Sequence, residues 1–185
     1  MLVRTIWGME VFMYKTYLCI DLKSFYASVE CVELGLDPFE VNLVVADPTR
    51  GGGAITLAAS PAIKKLGVSS RGRIYEIDST IEYMITPPRM HLYMEYSCKV
   101  YKVFLEFIAK EDIHVYSIDE SFLDVTSYLK LYQISAKELA KKILDRVYEK
   151  TGLTATVGIG TNLYLAKIAM DISAKHNVDR MAYLN

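Results

Sequence analysis

Tyr17-Leu18-Cys19-Ile20-Asp21 runs without a break into Leu22-Lys23-Ser24-Phe25-Tyr26-Ala27-Ser28-Val29-Glu30. Much further along, His114-Val115-Tyr116-Ser117-Ile118 leads into Asp119-Glu120 and then Ser121-Phe122-Leu123-Asp124-Val125. In each stretch an apolar, strand-forming run delivers carboxylates at its end. Two such strands lying side by side gather Asp21, Asp119 and Glu120 at one spot. Three carboxylates crowded together repel each other unless divalent cations sit between them, so the pattern points to a metal site for phosphoryl transfer. Any one of these acids taken alone also reads as an ordinary strand-end acid or a solvated hairpin turn.

The segments around these strands supply a fold. Ser24 is placed to cap a helix running to about Leu34, stopped by Gly35 and Asp37-Pro38. Strands are expected over 42–46 and 54–59, with the Asp47 to Gly53 stretch as a loop between them. Pro61 opens a short helix ending near Gly67, and 69–88 is mixed. Apolar residues recur at helical spacing from Leu92 to Ile108. Ile113–Ile118 and Phe122–Thr126 read as a hairpin joined across Asp119-Glu120-Ser121. Ser135 to Lys150 is an amphipathic helix with Leu139, Ile143, Leu144 and Val147 inward. Thr154–Ile159 is a strand, and Leu163–Ala174 a last helix after the Gly158-Ile159-Gly160-Thr161-Asn162 turn. With the insertion at about 39–88 set aside, the order is β-α-β-β-α-β, an α+β, ferredoxin-like pattern. In that layout the first strand lies beside the hairpin, which brings Asp21 and Asp119 to the same sheet edge.

Composition narrows the class. A chain of 185 residues with 52% hydrophobic content can bury a proper core. It has no apolar run of the ~18 residues a membrane span needs. Arg4, Glu10 and Lys15 break up the first residues, so 1–15 read as an irregular leader rather than a signal peptide, and cytoplasm is the expected location. Cys19, Cys31 and Cys98 have no metal spacing and read as reduced thiols. His91, His114 and His176 form no zinc pattern. A metal here is therefore expected to be oxygen-ligated, Mg²⁺ or Mn²⁺, with the carbonyl of Leu22 as an additional donor. The net charge of −1 is low for a nucleic-acid protein, which normally presents a basic surface.

Taken together, the two acidic stretches and Thr156-Val157-Gly158-Ile159-Gly160-Thr161-Asn162 with Leu165-Ala166-Lys167-Ile168-Ala169 resemble the Y-family translesion DNA polymerases, closest to the UmuC-like UV-damage-repair branch. The resemblance covers about 16–185. It implies a palm (16–24 and 89–185) with fingers (25–88), without the thumb and little-finger domains that follow in the family. It implies Asp21, Asp119 and Glu120 as catalytic carboxylates holding two Mg²⁺, and Tyr26 as an aromatic gate under the sugar with Phe25 beside it. Lys64 and Lys167 are implied to grip the triphosphate. The expected activity is addition of deoxynucleotides to a primer 3′-hydroxyl past damaged bases, in DNA repair and SOS mutagenesis. The implied partners are a damaged primer-template, a deoxynucleoside triphosphate and a sliding clamp. Where many members carry a Thr and a Tyr in the fingers, this chain has Ala58 and Pro61, which implies weaker triphosphate binding. The missing domains would hold most of the duplex, in keeping with the balanced charge, so the chain as given is expected to copy DNA weakly or not at all. A nucleotidyl cyclase shares the palm and its acids but gives the Phe25-Tyr26 pair no role. A non-catalytic fragment acting through protein contacts is the third reading.

Overall fold

Tyr17–Leu22 forms the central strand, β1, because its residues are needed on both faces of a sheet. Leu18, Ile20 and Leu22 point into the main core, while Cys19 packs in a second apolar cluster on the opposite face. The computed structural model describes residues 5–6, 9–10 and 15–184. Most of the expected leader lies outside the described residues. Within it, Thr5–Ile6 pairs antiparallel with Met9–Glu10.

From β1 the chain enters α1 (Phe25–Glu33). A second unit follows, made of β2 (Leu43–Val45), β3 (Ala58–Ala59), α2 (Pro61–Lys64) and β4 (Met84–Thr86). After it come α3 (Met90–Leu105), β5 (Ile113–Val115), β6 (Glu120–Asp124), α4 (Thr126–Tyr132) and α5 (Ala136–Thr151). The chain closes with β7 (Ala155–Gly160), α6 (Leu163–Ile168) and β8 (Met181–Leu184). The main sheet has the order β8-β7-β1-β6-β5. All its pairs are antiparallel except β8 with β7. Four of its strands, β7-β1-β6-β5, follow the split βαβ arrangement expected from the sequence, and β8 adds an edge. The smaller sheet, β3-β2-β4, has its own apolar cluster of Val44, Ala59 and Ile63.

Helix α5 shows how local sequence sets an element. Ser135 and Glu138 close a capping box at its start, and Gly152 at φ +70 ends it. The four inward residues read from its periodicity are all buried.

Several boundaries differ from the sequence reading. Ser24 does not cap α1. It sits at φ 51, ψ 43 without a capping hydrogen bond. Ser28 Oγ instead donates to the Lys23 carbonyl and ties the tight corner between β1 and α1. The hairpin turn falls before Glu120, so Glu120 and Ser121 belong to strand β6. The strand expected over 54–59 shortens to Ala58–Ala59, preceded by an isolated bridge from Ile55 to Arg73. Strands β4 and β8 and helix α4 carried no signal of their own. The two strands are short and owe their form to a neighbour: β4 pairs with Leu43–Val45, and β8 with Val157–Gly160.

The last helix is not continuous. After Ile168 it passes through a π turn over Ala169–Ser173 and a 3-10 turn over Ala174–His176. This segment packs on β7 where the strand offers Gly158 and Gly160. A Cβ on Gly158 would collide with the backbone of Ala166 and Met170, and one on Gly160 with Ala166. The glycines read as part of a turn are thus strand residues whose missing side chains admit a helix.

Candidate active site

Strand register decides where the acids meet. Asp21 pairs with Glu120 across β1 and β6, and the Leu22 amide donates to the Asp119 carbonyl at 2.9 Å. Side chains alternate along a strand, so Asp21 and Cys19 face the same side as their partners Glu120 and Phe122. That is the side covered by α6 and the turns after it. Glu120 is buried, Asp21 is partly so, and Asp119 stands at the strand mouth, where it accepts a hydrogen bond from Ser117 Oγ at 2.7 Å.

Two ammonium groups come with the covering segment. Lys167 Nζ lies 2.6 Å from Glu120 Oε1 and 3.4 Å from Asp171. Lys175 Nζ lies 3.7 Å from Asp21 and 2.9 Å from Asp171. Burial opposes the charge of both lysines, but the carboxylates outweigh it and hold both pKa values above the ordinary range. Cys19 Sγ donates to Glu120 Oε1 at 3.3 Å, and burial, reinforced by that carboxylate, keeps the thiol protonated. As placed, no group of three His, Cys, Asp or Glu side chains is set to hold a metal ion among the described residues. The lysines supply the countercharge instead. The donor chemistry of Asp21, Asp119 and Glu120 is all oxygen and suits a hard divalent cation, provided Lys167 yields its hold on Glu120.

Burial is also the main reason the Asp21 pKa rises to about 6; Lys175 opposes the rise, while Asp119, Glu120 and Asp171 add to it. In the unfolded chain the group returns to its ordinary value near 3.8. Between those values the folded protein holds the extra proton, so this group's contribution to stability falls as pH rises from about 4 to 6 and stays low above. The difference amounts to roughly 3 kcal/mol. Urea unfolding in the presence of a chelator is therefore expected to find Asp21→Asn more stable than wild type at pH 7.5, with the gap closing toward pH 4. A gap that is constant with pH would refute this.

A cleft of about 350 Å³ opens beside the acids, and Ser24, Tyr26, Lys64, Arg71, Asp119 and Lys175 are among its lining residues. Lys64 Nζ donates to Ser24 Oγ at 3.0 Å, a contact made available by the left-handed corner at Ser24. Desolvation lowers the Lys64 pKa, opposed by Asp21 and reinforced by Lys175 and Lys23. The Tyr26 ring stacks on Tyr93 at 4.3 Å and 13°. Tyr93 is fully buried and donates to Glu30 Oε1 at 2.7 Å, and Glu30 in turn pairs with Arg89 at 2.6 Å. Burial, and then Asp119, raise the Tyr26 pKa, so the phenol stays neutral.

Of the residues singled out from sequence, Asp21, Asp119, Glu120, Leu22, Phe25, Tyr26 and Lys64 fall in one neighbourhood. Phe25 is mostly core, 3% exposed. Lys167 is brought to Glu120 and is not among the residues lining the cleft. Lys175 and Arg71, which do line it, were not singled out. Lys175 sits eight residues after Lys167, with Asp171 midway, a spacing that keeps all three on one side of a helix. Asp171 is bonded to both lysines and ties them beside the acids; that four-residue spacing was the signal in the sequence that could have found Lys175.

The impB/mucB/samB family model matches residues 20–171. A Bacillus subtilis (strain 168) protein named for UV-damage repair, UvrX, is 41% identical over 165 residues, covering 89% of this chain and 38% of its own. DNA polymerase IV 2 of the same organism is 38% identical over 167 residues, covering 88% of this chain and 39% of its own. Among solved structures, DinB from Sulfolobus solfataricus superposes with a TM-score of 0.76 at 29% identity, covering 91% of this chain and 48% of its own. The chain therefore belongs to the impB/mucB/samB family and, with it, to the Y-family DNA polymerases. It spans less than half the length of these relatives. Its mixed sheets and helices match the palm and fingers of that family's structures. Among the described residues no helix is long and apolar enough to cross a membrane.

Proposed function

We propose that this chain is the nucleotidyl-transfer part of a translesion DNA polymerase, acting with a damaged primer-template and a deoxynucleoside triphosphate. The observation that carries the reading is the Asp21–Glu120 register pair with Asp119 beside it, Asp119 lining a cleft that also presents Tyr26, Lys64 and Lys175. A solved relative titled as the insertion ternary complex of the Dbh DNA polymerase, with a TM-score of 0.77 over 92% of this chain, supports it. In this reading the palm comprises 16–24 and 89–185 and the fingers 25–88. The separate apolar cluster of the smaller sheet supports that division.

Asp21, Asp119, Glu120 and the Leu22 carbonyl would hold two Mg²⁺, or Mn²⁺ in their place. Such ions lower the pKa of an attacking hydroxyl and neutralise charge on a leaving pyrophosphate. Lys64 and Lys175 face the polyphosphate across the cleft and favour its negative charge. Lys167, bonded to Glu120, holds that carboxylate in place. Tyr26, backed by Tyr93, offers a flat ring with no room to retreat, which suits it to exclude a ribose 2′-hydroxyl.

Calorimetric titration with a deoxynucleoside triphosphate and Mg²⁺ tests the reading. Wild type is expected to bind only with the metal, and Asp119→Ala to lose at least about tenfold in affinity, or 1.4 kcal/mol. Tyr26→Ala is expected to narrow the preference for deoxy- over ribonucleotide. Binding by wild type that ignores both metal and Asp119 would reject the proposal.

A further inference from the structure

Beside the corner that follows β1 lies a second concentration of positive charge that the reading above does not use. The ammonium groups of Lys23 and Lys65 stand over one aromatic ring, 5.6 and 6.0 Å from the centre of Phe39. Phe39 lines a groove of about 430 Å³ together with Arg180 and Thr154. Three cations therefore converge from separate parts of the chain: the end of β1, the end of α2, and the turn before β8. The Lys23 amide bonds to the Thr154 carbonyl at 2.9 Å, which fixes Lys23 next to the groove wall.

None of the three has a carboxylate partner within salt-bridge distance among the described residues. The one acid lining the groove, Asp37, accepts the Phe39 amide at 2.8 Å. Lys23 is partly buried, and desolvation, followed by Arg180 and Lys65, lowers its pKa. Like charges gathered over an aromatic floor without a carboxylate among them cost free energy in the empty protein. A bound anion recovers it, because charge-assisted hydrogen bonds to phosphate oxygens are strong and arginine offers a fork that matches them.

We propose that Lys23, Lys65 and Arg180, over Phe39, form a polyphosphate site adjoining the catalytic cleft. Its occupant is either free pyrophosphate on its way out or the outer end of a bound triphosphate. That assignment of source rests on the polymerase reading; the anion site itself does not. Lys64, bonded to Ser24, links this groove to the cleft and gives a departing pyrophosphate a continuous run of cations.

Titration of the chain with inorganic pyrophosphate, without nucleotide and at low salt, tests this. Lys23→Met, Lys65→Met and Arg180→Met are each expected to weaken pyrophosphate binding about tenfold, while Lys130→Met, the same charge loss on the exposed surface of α4, leaves it unchanged. Repeating the titrations with a deoxynucleoside triphosphate and Mg²⁺ distinguishes the sources. Weakening of pyrophosphate alone marks a product site, and equal weakening of both marks a contact to the triphosphate tail; each supports the site. Pyrophosphate binding lost in Lys64→Met but unaffected in the three groove variants would place the anion in the catalytic cleft and overturn the proposal. So would the absence of pyrophosphate binding at millimolar concentration. Because pyrophosphate is titrated without metal or nucleotide, failure of the polymerase reading leaves this arm standing, and the reverse also holds.

Discussion

Glu30→Ala is expected to destabilise the protein by about 2–4 kcal/mol, from a stranded buried hydroxyl and the cavity left behind. Glu30 is 2% exposed and holds three hydrogen bonds from Arg89 as well as the Tyr93 hydroxyl. Removing the carboxylate leaves the Tyr93 hydroxyl buried without an acceptor and opens a cavity between α1 and α3. The Arg89 side chain is 46% exposed and can turn to water, so the loss falls mainly on Tyr93. Glu30→Gln keeps an acceptor for Tyr93 and gives up only the charge, so about 1–3 kcal/mol is expected. Urea midpoints of the two variants, compared at unchanged m-value, check the ranking. Equal stability of Glu30→Ala and wild type would mean that the network is not formed in solution. The effect also reaches the site, because Tyr93 backs the Tyr26 ring. The alanine variant should therefore lose part of whatever sugar preference wild type shows.

The second large effect is expected at Gly158. An alanine there places a methyl group inside the backbone of Ala166 and Met170. Backbone atoms on a packed helix cannot rotate away as a side chain can, so the cost should reach or exceed the upper end of the overpacking range, about 3 kcal/mol. At this size the melting temperature should fall by roughly 6–12 °C. Gly35→Ala provides the contrast. Gly35 sits at φ +69 with nothing near the position a Cβ would take, so only backbone strain of about 1 kcal/mol is expected. If Gly158→Ala is no worse than Gly35→Ala, then α6 does not lie on β7 as described. Because the same segment carries Lys167 and Lys175, Gly158→Ala should also weaken the hold on Glu120 and Asp21. Metal-dependent nucleotide binding is then expected to fall together with stability.

Much of the layout was legible in residues 17–30 and 114–125. An apolar run ending in acids can be read locally, and so can the periodicity of α5 with its Ser135 and Glu138 cap. From these the βαββαβ order follows, and with it the meeting of Asp21 with Asp119 and Glu120, because strand adjacency is a property of the topology. Tyr26 and Lys64 were reached through motif resemblance. The structure sets both at the cleft, Tyr26 flat on Tyr93 and Lys64 on Ser24.

Tertiary packing decided what local pattern does not encode. Short strands such as β4 and β8 form because a neighbour offers unpaired backbone groups, and their own residues favour no single conformation. The helix after β7 bends through a π turn over Ala169–Ser173 as it packs on Gly158 and Gly160. Lys175 then reaches Asp21, whereas the resemblance had pointed only to Lys167, as a grip on the triphosphate. The convergence of Lys23, Lys65 and Arg180 on Phe39 likewise joins residues that no sequence window contains. Sequence determined which carboxylates share a strand end, since side-chain alternation and strand order are enough for that. The cations that face them are placed by helix packing and loop paths, which depend on contacts between distant parts of the chain.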